Sequence, residues 1–344
     1  MTKKIVTLSG DGIGPEIMEA GLEVLSALTE CLNETYDIEA HDFGGIAIDH
    51  FNTPLPESTL DAAKNADAVL LAAIGHPKYN GAKVRPEQGL LQLRKALGLY
   101  ANVRPLKIYE ELKNFAPIKN VSEVDFVVIR ELTGGIYFGA HELEETKARD
   151  INDYSAEEIK RIMIFAFETA RKRSRKHVTS VDKQNVLATS KLWRKIADEV
   201  AQDYPDVTLE HQLVDSCAML LITNPQKFDV IVTENLFGDI LTDEASSLAG
   251  TLGVMPSSSH GESGLALYEP IHGSAPDIAG QGIANPVGMI LSVAMMLRES
   301  FNESAAAQKI EDAVEKTFRD GYRTKDLGGT TTTQALTKAI IARL

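Results

Sequence analysis

Cysteine is almost missing from this chain of 344 residues, which has Cys31 and Cys217 and no others. Two so distant cysteines make no disulfide framework, and neither stands in a metal-like spacing. A reducing, cytoplasmic setting fits that usage. Basic charge is also scarce: Lys+Arg 35 stand against Asp+Glu 49, a net charge of −14. With no basic block, no nucleic-acid partner is expected. The densest cationic run, Arg171-Lys172-Arg173-Ser174-Arg175-Lys176, closes a helical pattern and reads as a cap suited to the helix macrodipole. Long hydrophobic runs are missing as well. The most apolar stretch, residues 287–297, is too short to cross a bilayer, so no membrane partner is expected. It follows Asn285 and Pro286, which read as N-cap and first helical residue. Nor does a secretory core separate Met1-Thr2-Lys3-Lys4 from the first strand pattern, Ile5-Val6-Thr7-Leu8.

What is present is the pattern of a globular enzyme-sized chain. At 44% hydrophobic and 24% charged residues, it has the composition of an ordinary soluble fold, and its length predicts two domains. Strand patterns at residues 5–8, 38–43 and 68–74 alternate with helical periodicity at about 15–32 and again from Leu90. Further strands are expected at 125–129 and 178–181, with a helix between them. Ser155 and Glu158 form its capping box, and Ile159, Ile162 and Ala166 its apolar stripe. Such alternation predicts an α/β fold with crossover helices. The Gly-rich residues 252–264 read as a separator, and the chain from Phe301 onward as ordinary helical packing.

The segment Thr233–Gly250 places two carboxylates one helical turn apart. A buried strand pattern at 228–232 empties into it, and Asp239 and Asp243 follow at i and i+4, so both point the same way from a helix. Like charges so placed repel, and a hard divalent cation such as Mg²⁺ or Mn²⁺ would remove the repulsion. A solvated acidic face is the plainer reading of that segment alone. Gly10-Asp11-Gly12-Ile13-Gly14-Pro15-Glu16 departs from the dinucleotide fingerprint, with proline where a glycine is required and Asp11 a like charge for a pyrophosphate. It reads as a tight glycine turn opening a helix. Arg94, Arg104 and Arg130 lie on separate elements; converging, their forks would suit a small polyanion. Tyr137 follows a Gly134-Gly135 turn, and Lys183 follows a strand; either serves as acid or base if its pKa is shifted. Asp215 ends an alternating strand pattern at 209–214 and is a candidate third metal carboxylate. The loop from His272 to Pro286 offers backbone amides to a flat polar ligand, with Asp277 placed to accept from ribose hydroxyls or to serve as a turn residue.

Together these segments resemble the β-hydroxyacid oxidative decarboxylases, the isocitrate/isopropylmalate dehydrogenase family. The resemblance runs in order through Gly10–Glu16, Arg130-Glu131-Leu132-Thr133-Gly134-Gly135-Ile136-Tyr137-Phe138-Gly139, Val181-Asp182-Lys183-Gln184-Asn185-Val186-Leu187, Glu234–Glu244 and the His272–Pro286 loop. Within the family, Glu87-Gln88-Gly89-Leu90-Leu91-Gln92-Leu93-Arg94-Lys95 is similar to the substrate-selecting segment of the isopropylmalate branch. Isocitrate-using relatives carry serine and asparagine there. Asp277-Ile278 stands where NADP-dependent bacterial relatives have lysine and tyrosine, which implies NAD.

The resemblance implies a two-domain α/β fold distinct from an ordinary Rossmann fold, with the active site in the interdomain cleft. Residues 1–97 plus 250–344 would form a discontinuous domain binding most of the NAD. Residues 98–249 would carry the dimer interface and the metal ligands. The implied reaction is NAD-dependent oxidative decarboxylation of 3-isopropylmalate to 4-methyl-2-oxopentanoate and CO₂ in leucine biosynthesis, through a metal-chelated alkoxide and enolate. Asp215, Asp239 and Asp243 would hold Mg²⁺ or Mn²⁺, Lys183 would take the hydroxyl proton, and Tyr137 would reprotonate the enolate carbon. Glu87, Leu90, Leu91, Arg94, Arg104, Arg130 and Asp215 would meet the substrate. Glu269, His272, Gly273, Ser274, Ala275, Pro276, Asp277, Ile278 and Asn285 would meet NAD. Lys183 and Asp215 would enter from a second subunit, which implies a homodimer. The alternatives are a sibling activity on isocitrate, homoisocitrate, malate or tartrate, and a silent nucleotide-binding subunit of the same fold. Burying a carboxylate against Leu90 and Leu91 counts against the polar-tailed substrates.

Overall fold

The computed structural model describes residues 2–32, 35–118 and 124–344; Met1 and the side chain of Cys31 lie outside the described residues. In chain order the first elements are β1 (Lys3–Gly10), α1 (Gly14–Leu32), β2 (Tyr36–Ala40), α2 (Gly45–Phe51), α3 (Glu57–Lys64), β3 (Ala68–Ala73) and α4 (Pro86–Ala96). Next come β4 (Leu99–Lys107), β5 (Asp125–Glu131), β6 (His141–Leu143), β7 (Ala148–Asp150), α5 (Ala156–Arg171), β8 (His177–Asp182) and α6 (Ala188–Ala201). They are followed by β9 (Thr208–Leu213), α7 (Val214–Thr223), β10 (Val230–Thr233), α8 (Asn235–Ser246), β11 (Pro256–Gly261), β12 (Ala266–Pro270), α9 (Val287–Glu299), α10 (Ser304–Arg319) and α11 (Thr333–Ile341). The chain packs as two units, Met1–Leu99 with Gly250–Leu344, and Tyr100–Ala249.

In the first unit the strand order is β2-β1-β3-β12-β11, parallel except for the last pair. Every residue of β3, Ala-Val-Leu-Leu-Ala-Ala, is buried. That is the signature of a parallel strand covered on both faces, which an unbroken apolar run makes possible. Helix α9 is buried along residues 287–297. It lies so close to α1 that a Cβ on Gly21 would meet Met289 Cγ at 3.1 Å.

Three sequence expectations shift in this unit. The second strand lies at Tyr36–Ala40 rather than 38–43, because Thr7 ends its pairing with β1 and Phe43 turns into the core at 0% exposure. The expected separator at 252–264 holds β11, whose Ser257, Ser258 and Ser259 are buried; small side chains, not flexibility, explain that composition. Pro286, not Asn285, is the N-cap of α9, although Asn285 Oδ1 still accepts from Val287 N–H at 3.1 Å.

In the second unit the order is β4-β5-β10-β8-β9, with β4 antiparallel to β5 and the rest parallel. Helix α5 opens with the Ser155–Glu158 capping box and buries Ile159, Ile162, Met163, Ala166, Phe167 and Ala170. These positions recur every three or four residues, one apolar stripe at helical period. The cationic run after α5 does more than cap it. Arg173 donates to the buried Asp229 at 2.6 Å, and Arg175 donates to the carbonyls of Gln226 and Phe228 at 2.8 Å each. Asp229 is 1% exposed, so truncating Arg173 would strand a buried charge, at a cost of about 3–5 kcal/mol. Strand β9 ends at Leu213, and Asp215 sits in the first turn of α7 instead of at a strand end. A carboxylate there faces the positive end of the helix dipole.

Candidate active site

In the second unit the polar groups meet around α8, whose helical geometry sets Asp239 and Asp243 one turn apart. Arg130 leaves β5 with a side chain 7% exposed, and its Nη1 donates to Asp239 Oδ1 at 2.5 Å. The Tyr137 hydroxyl donates to the other oxygen, Oδ2, at 2.8 Å. The guanidinium also lies 5.7 Å from the Tyr137 ring centroid. Burial raises the Tyr137 phenol above its ordinary pKa and the Asp239 carboxylate adds to the effect, so the hydroxyl holds its proton at neutral pH. Arg104 Nε donates to Asn102 Oδ1 at 2.8 Å and Nη1 to Thr242 Oγ1 at 2.5 Å, while Asp243 stands 4.0 Å from Nη1.

Lys183 and Asp215 form a pair of their own: Nζ donates to Oδ1 at 2.5 Å, and the ammonium holds the Asp215 carboxyl below the usual carboxylate range. Among the described residues no three His, Cys, Asp or Glu side chains gather closely enough to hold a metal ion. Asp239 and Asp243 therefore offer hard oxygen donors without Asp215 beside them in the same chain.

In the first unit α4 carries Glu87 in its first turn, then Leu90, Leu91 and Arg94. Leu90 packs on the core of Val6, Leu8, Phe43, Leu71 and Leu97, whereas Leu91 is 44% exposed. Arg94 Nη2 donates to Glu269 Oε1 at 2.8 Å, so these two expected ligand residues hold each other. Glu87 Oε1 sits over Gly75, where a Cβ would approach it to 3.2 Å.

The His272–Pro286 loop docks on the glycine turn. Ile13 N–H donates to Ser274 O at 2.8 Å, and the Ser274 hydroxyl donates to Gly75 O at 2.5 Å. Gly12 has φ +57, and a Cβ there would stand 2.0 Å from Ser274 O; no other residue fits. Asp11, 8% exposed, turns inward and accepts from the amides of Gly45, Ile46 and Gly75 at 2.9, 3.0 and 2.8 Å. Its carboxylate ties the glycine turn to two other segments of the fold, in keeping with a structural turn that opens α1.

Beside this docked loop lies a cleft of about 470 Å³ lined by Ile13, Gly253, His272, Gly273, Ala275, Ile278, Asn285 and Asp326, among others. The His272 ring contacts Gly273 O through Nδ1 at 2.9 Å, while its buried Nε2 has no partner. Burial pulls the imidazole pKa down, so the ring is neutral and offers one unused polar atom. Asn285 Nδ2 donates to Asp326 Oδ2 at 3.0 Å, and Thr251 donates to the same oxygen at 2.7 Å. Apolar walls with an orphan ring nitrogen and a braced amide fit a flat heteroaromatic ligand. Asp277 is exposed after Pro276 and is not among the lining residues.

Residues 4–341 match the family described as isocitrate/isopropylmalate dehydrogenase. The chain is 75% identical over 341 residues to a protein of Lactococcus lactis subsp. lactis named 3-isopropylmalate dehydrogenase, covering 99% of each. It is 68% identical to one of that name from Streptococcus thermophilus, over 100% of both chains. The crystal structure of an isocitrate dehydrogenase from Methylococcus capsulatus superposes with a TM-score of 0.90 at 38% identity, over 99% of each chain. The chain belongs to the isocitrate/isopropylmalate dehydrogenase family. Its two-domain α/β fold is that of the family, as the resemblance implied.

Sequence reasoning in this family member passed over Asp326, which lies in the region read as featureless helical packing. Its carboxylate also accepts from Thr324 at 2.5 Å. Its one local partner, Thr324, gives no sign of a site, because the partners that place it on the cleft, Thr251 and Asn285, stand far off in the chain. Asn235 and Tyr154, which brace the Arg130 corner, were passed over for the same reason.

Proposed function

We propose that the chain is a 3-isopropylmalate dehydrogenase, oxidising and decarboxylating its substrate with NAD and a divalent cation. The observation that carries the reading is the convergence of Arg130 and Tyr137 on the two oxygens of Asp239, in a chain 75% identical to a protein of that name. The buried Arg130 and the part-buried Arg104 are cations suited to clamp carboxylates of a small diacid. Arg94 joins them if Glu269 yields it. Glu87, Leu90 and Leu91 occupy the helix face that would meet the branched tail, and the half-exposed Leu91 is free to cover an isopropyl group.

Asp239 and Asp243, completed by Asp215 of a second subunit, would hold Mg²⁺ or Mn²⁺, which supplies charge stabilisation where negative charge develops. NAD supplies the hydride acceptor, and the His272–Ile278 loop with Asn285 and Glu269 would hold it. Lys183, once separated from Asp215, is the base for the hydroxyl proton. Tyr137, kept protonated by burial and by Asp239, is the acid that returns a proton to carbon. We assign cofactor binding to residues 1–97 with 250–344, and metal ligands and dimer contacts to residues 98–249. A homodimer is supported by apolar side chains left exposed on α7 and α8, Met219 at 58% and Ile240 at 57%, and by Leu143 at 88% on β6.

The deciding experiment is NADH formation with Mg²⁺ or Mn²⁺ on 3-isopropylmalate, isocitrate, D-malate and tartrate. Turnover favouring 3-isopropylmalate and lost with EDTA is expected. Preference for another acid would overturn the reading of Glu87, Leu90 and Leu91, and no turnover at all would favour a silent subunit.

A further inference from the structure

We propose that Asn235 is a positioning residue for the reaction proposed above: its amide locks Arg130 and the Gly134-Gly135 turn in one register, so that Arg130 and Tyr137 reach opposite oxygens of Asp239. The inference rests on that functional reading. Asn235 opens α8 and is 2% exposed. Its Oδ1 accepts from Arg130 Nε at 3.1 Å and Nη2 at 2.8 Å. Its Nδ2 donates to Gly134 O at 3.1 Å, and its backbone N–H donates to the Tyr154 hydroxyl oxygen at 3.0 Å.

Each of these bonds removes one freedom from the catalytic pair. Two of the three guanidinium nitrogens, Nε and Nη2, are committed to Asn235 Oδ1, so Nη1 is the one aimed at Asp239. Arg130 cannot fall back, because α8 passes so closely that a Cβ on Gly238 would meet Arg130 Cγ at 2.6 Å. The turn that carries Tyr137 is pinned from the other side. Gly134 and Gly135 lie against Tyr154, where a Cβ on either would come within 2.5 Å of it, and Gly135 N–H donates to Asp153 O at 2.9 Å.

Asparagine suits this place because one short side chain must accept toward arginine and donate toward a carbonyl together. Aspartate keeps the acceptors but sets an oxygen against Gly134 O. Glutamine is a methylene too long for a packed site.

The test begins with wild-type turnover of 3-isopropylmalate, which addresses the functional reading alone. Full-length Asn235→Asp is then assayed singly and combined with Tyr137→Phe, and its crystal structure is determined. The expected result is a fall in kcat/KM of about 10- to 100-fold, the effect of leaving the buried Gly134 carbonyl without its donor and facing an oxygen. That fall should shrink in the Tyr137→Phe background, because coupled residues are non-additive. The structure should show Arg130 Nη1 or the Tyr137 hydroxyl out of hydrogen-bonding reach of Asp239. Additive losses with both contacts intact would overturn the proposal even where the enzyme activity stands. Should Asn235→Asp fail to fold, Tyr154→Phe removes the acceptor of the Asn235 N–H and keeps the ring. A smaller loss that is again coupled to Tyr137→Phe is expected, and an additive one overturns the proposal.

Discussion

Between Tyr100 and Ala249 the candidate chemistry rests on charged and polar side chains aimed at one another, Arg130 and Tyr137 on Asp239, Arg104 on Thr242, Lys183 on Asp215. In the unit of Met1–Leu99 with Gly250–Leu344, the candidate cofactor cleft is shaped by backbone: a left-handed Gly12, an Asp11 spent on three amides, and a loop docked through Ser274 O. One unit can lose an activity by a change of charge that leaves the fold alone. The other can lose it by a single added methyl.

Asp239→Asn should break the first half of that comparison hardest. The amide oxygen can still accept from Arg130, so the chain should melt near the wild-type temperature. Turnover should nonetheless fall by about 10³-fold or more, because a preorganised charge at the reacting centre is lost. Steady-state NADH formation and a thermal melt check both parts; a near-wild-type rate would remove Asp239 from the site. Gly12→Ala should do the opposite. The new Cβ meets Ser274 O at 2.0 Å on a backbone with φ +57, so about 3 kcal/mol of stability should go, along with a rise in the KM for NAD. Denaturant unfolding measures the first. An unchanged midpoint would mean that the loop does not depend on this docking.

The same contrast governs what the sequence made legible. Asp239 and Asp243 were readable because a helix repeats every 3.6 residues and both partners of the pattern lie in one segment. The buried strands were readable for a like reason, the unbroken apolar run of β3 above all. The discontinuous grouping of the chain left no local mark, since nothing at Leu99 or Gly250 differs from an ordinary loop or strand end; family resemblance alone suggested it. The alternation of Leu209–Val214 points to a strand ending at Asp215, yet the last residue of that pattern already belongs to α7. Arg173 and Arg175 read locally as cations for the helix dipole, whereas their partners, Asp229 and the carbonyls of 226–228, stand about fifty residues away. Long-range pairing of this kind has no period to detect.

Glu234 sharpens the comparison, being a carboxyl of the second unit whose burial outweighs the pull of the nearby Arg130. It is 6% exposed, one of its oxygens has no partner, and burial, aided by Glu131, pushes its pKa from 4.5 up to about 7. A folded value above the unfolded one means that stability is full below pH 4.5 and declines as pH rises toward 7. The loss complete at pH 8 amounts to about 3 kcal/mol. Glu234→Gln should therefore match wild type in acid and exceed it by up to that amount at pH 8, as chemical denaturation at the two pH values would register. Parallel pH profiles for the two proteins would show that Glu234 is not buried as a neutral acid.

The smallest effect separates two neighbours on α4. Leu90 packs on the first unit's core and Leu91 is 44% exposed, so only Leu90→Ala should cost stability, about 2 kcal/mol. Leu91→Ala should leave the melt within about 0.5 kcal/mol of wild type. If Leu91 covers the isopropyl group, its truncation should still lower the preference for 3-isopropylmalate over D-malate by about 10-fold, since D-malate lacks the tail and loses nothing. Competing the two substrates in one assay reads that ratio directly. A ratio unmoved by Leu91→Ala but halved or more by Leu90→Ala would shift selection to the packed residue, and would make substrate choice in this unit, like its cofactor cleft, a property of the fold rather than of an exposed side chain.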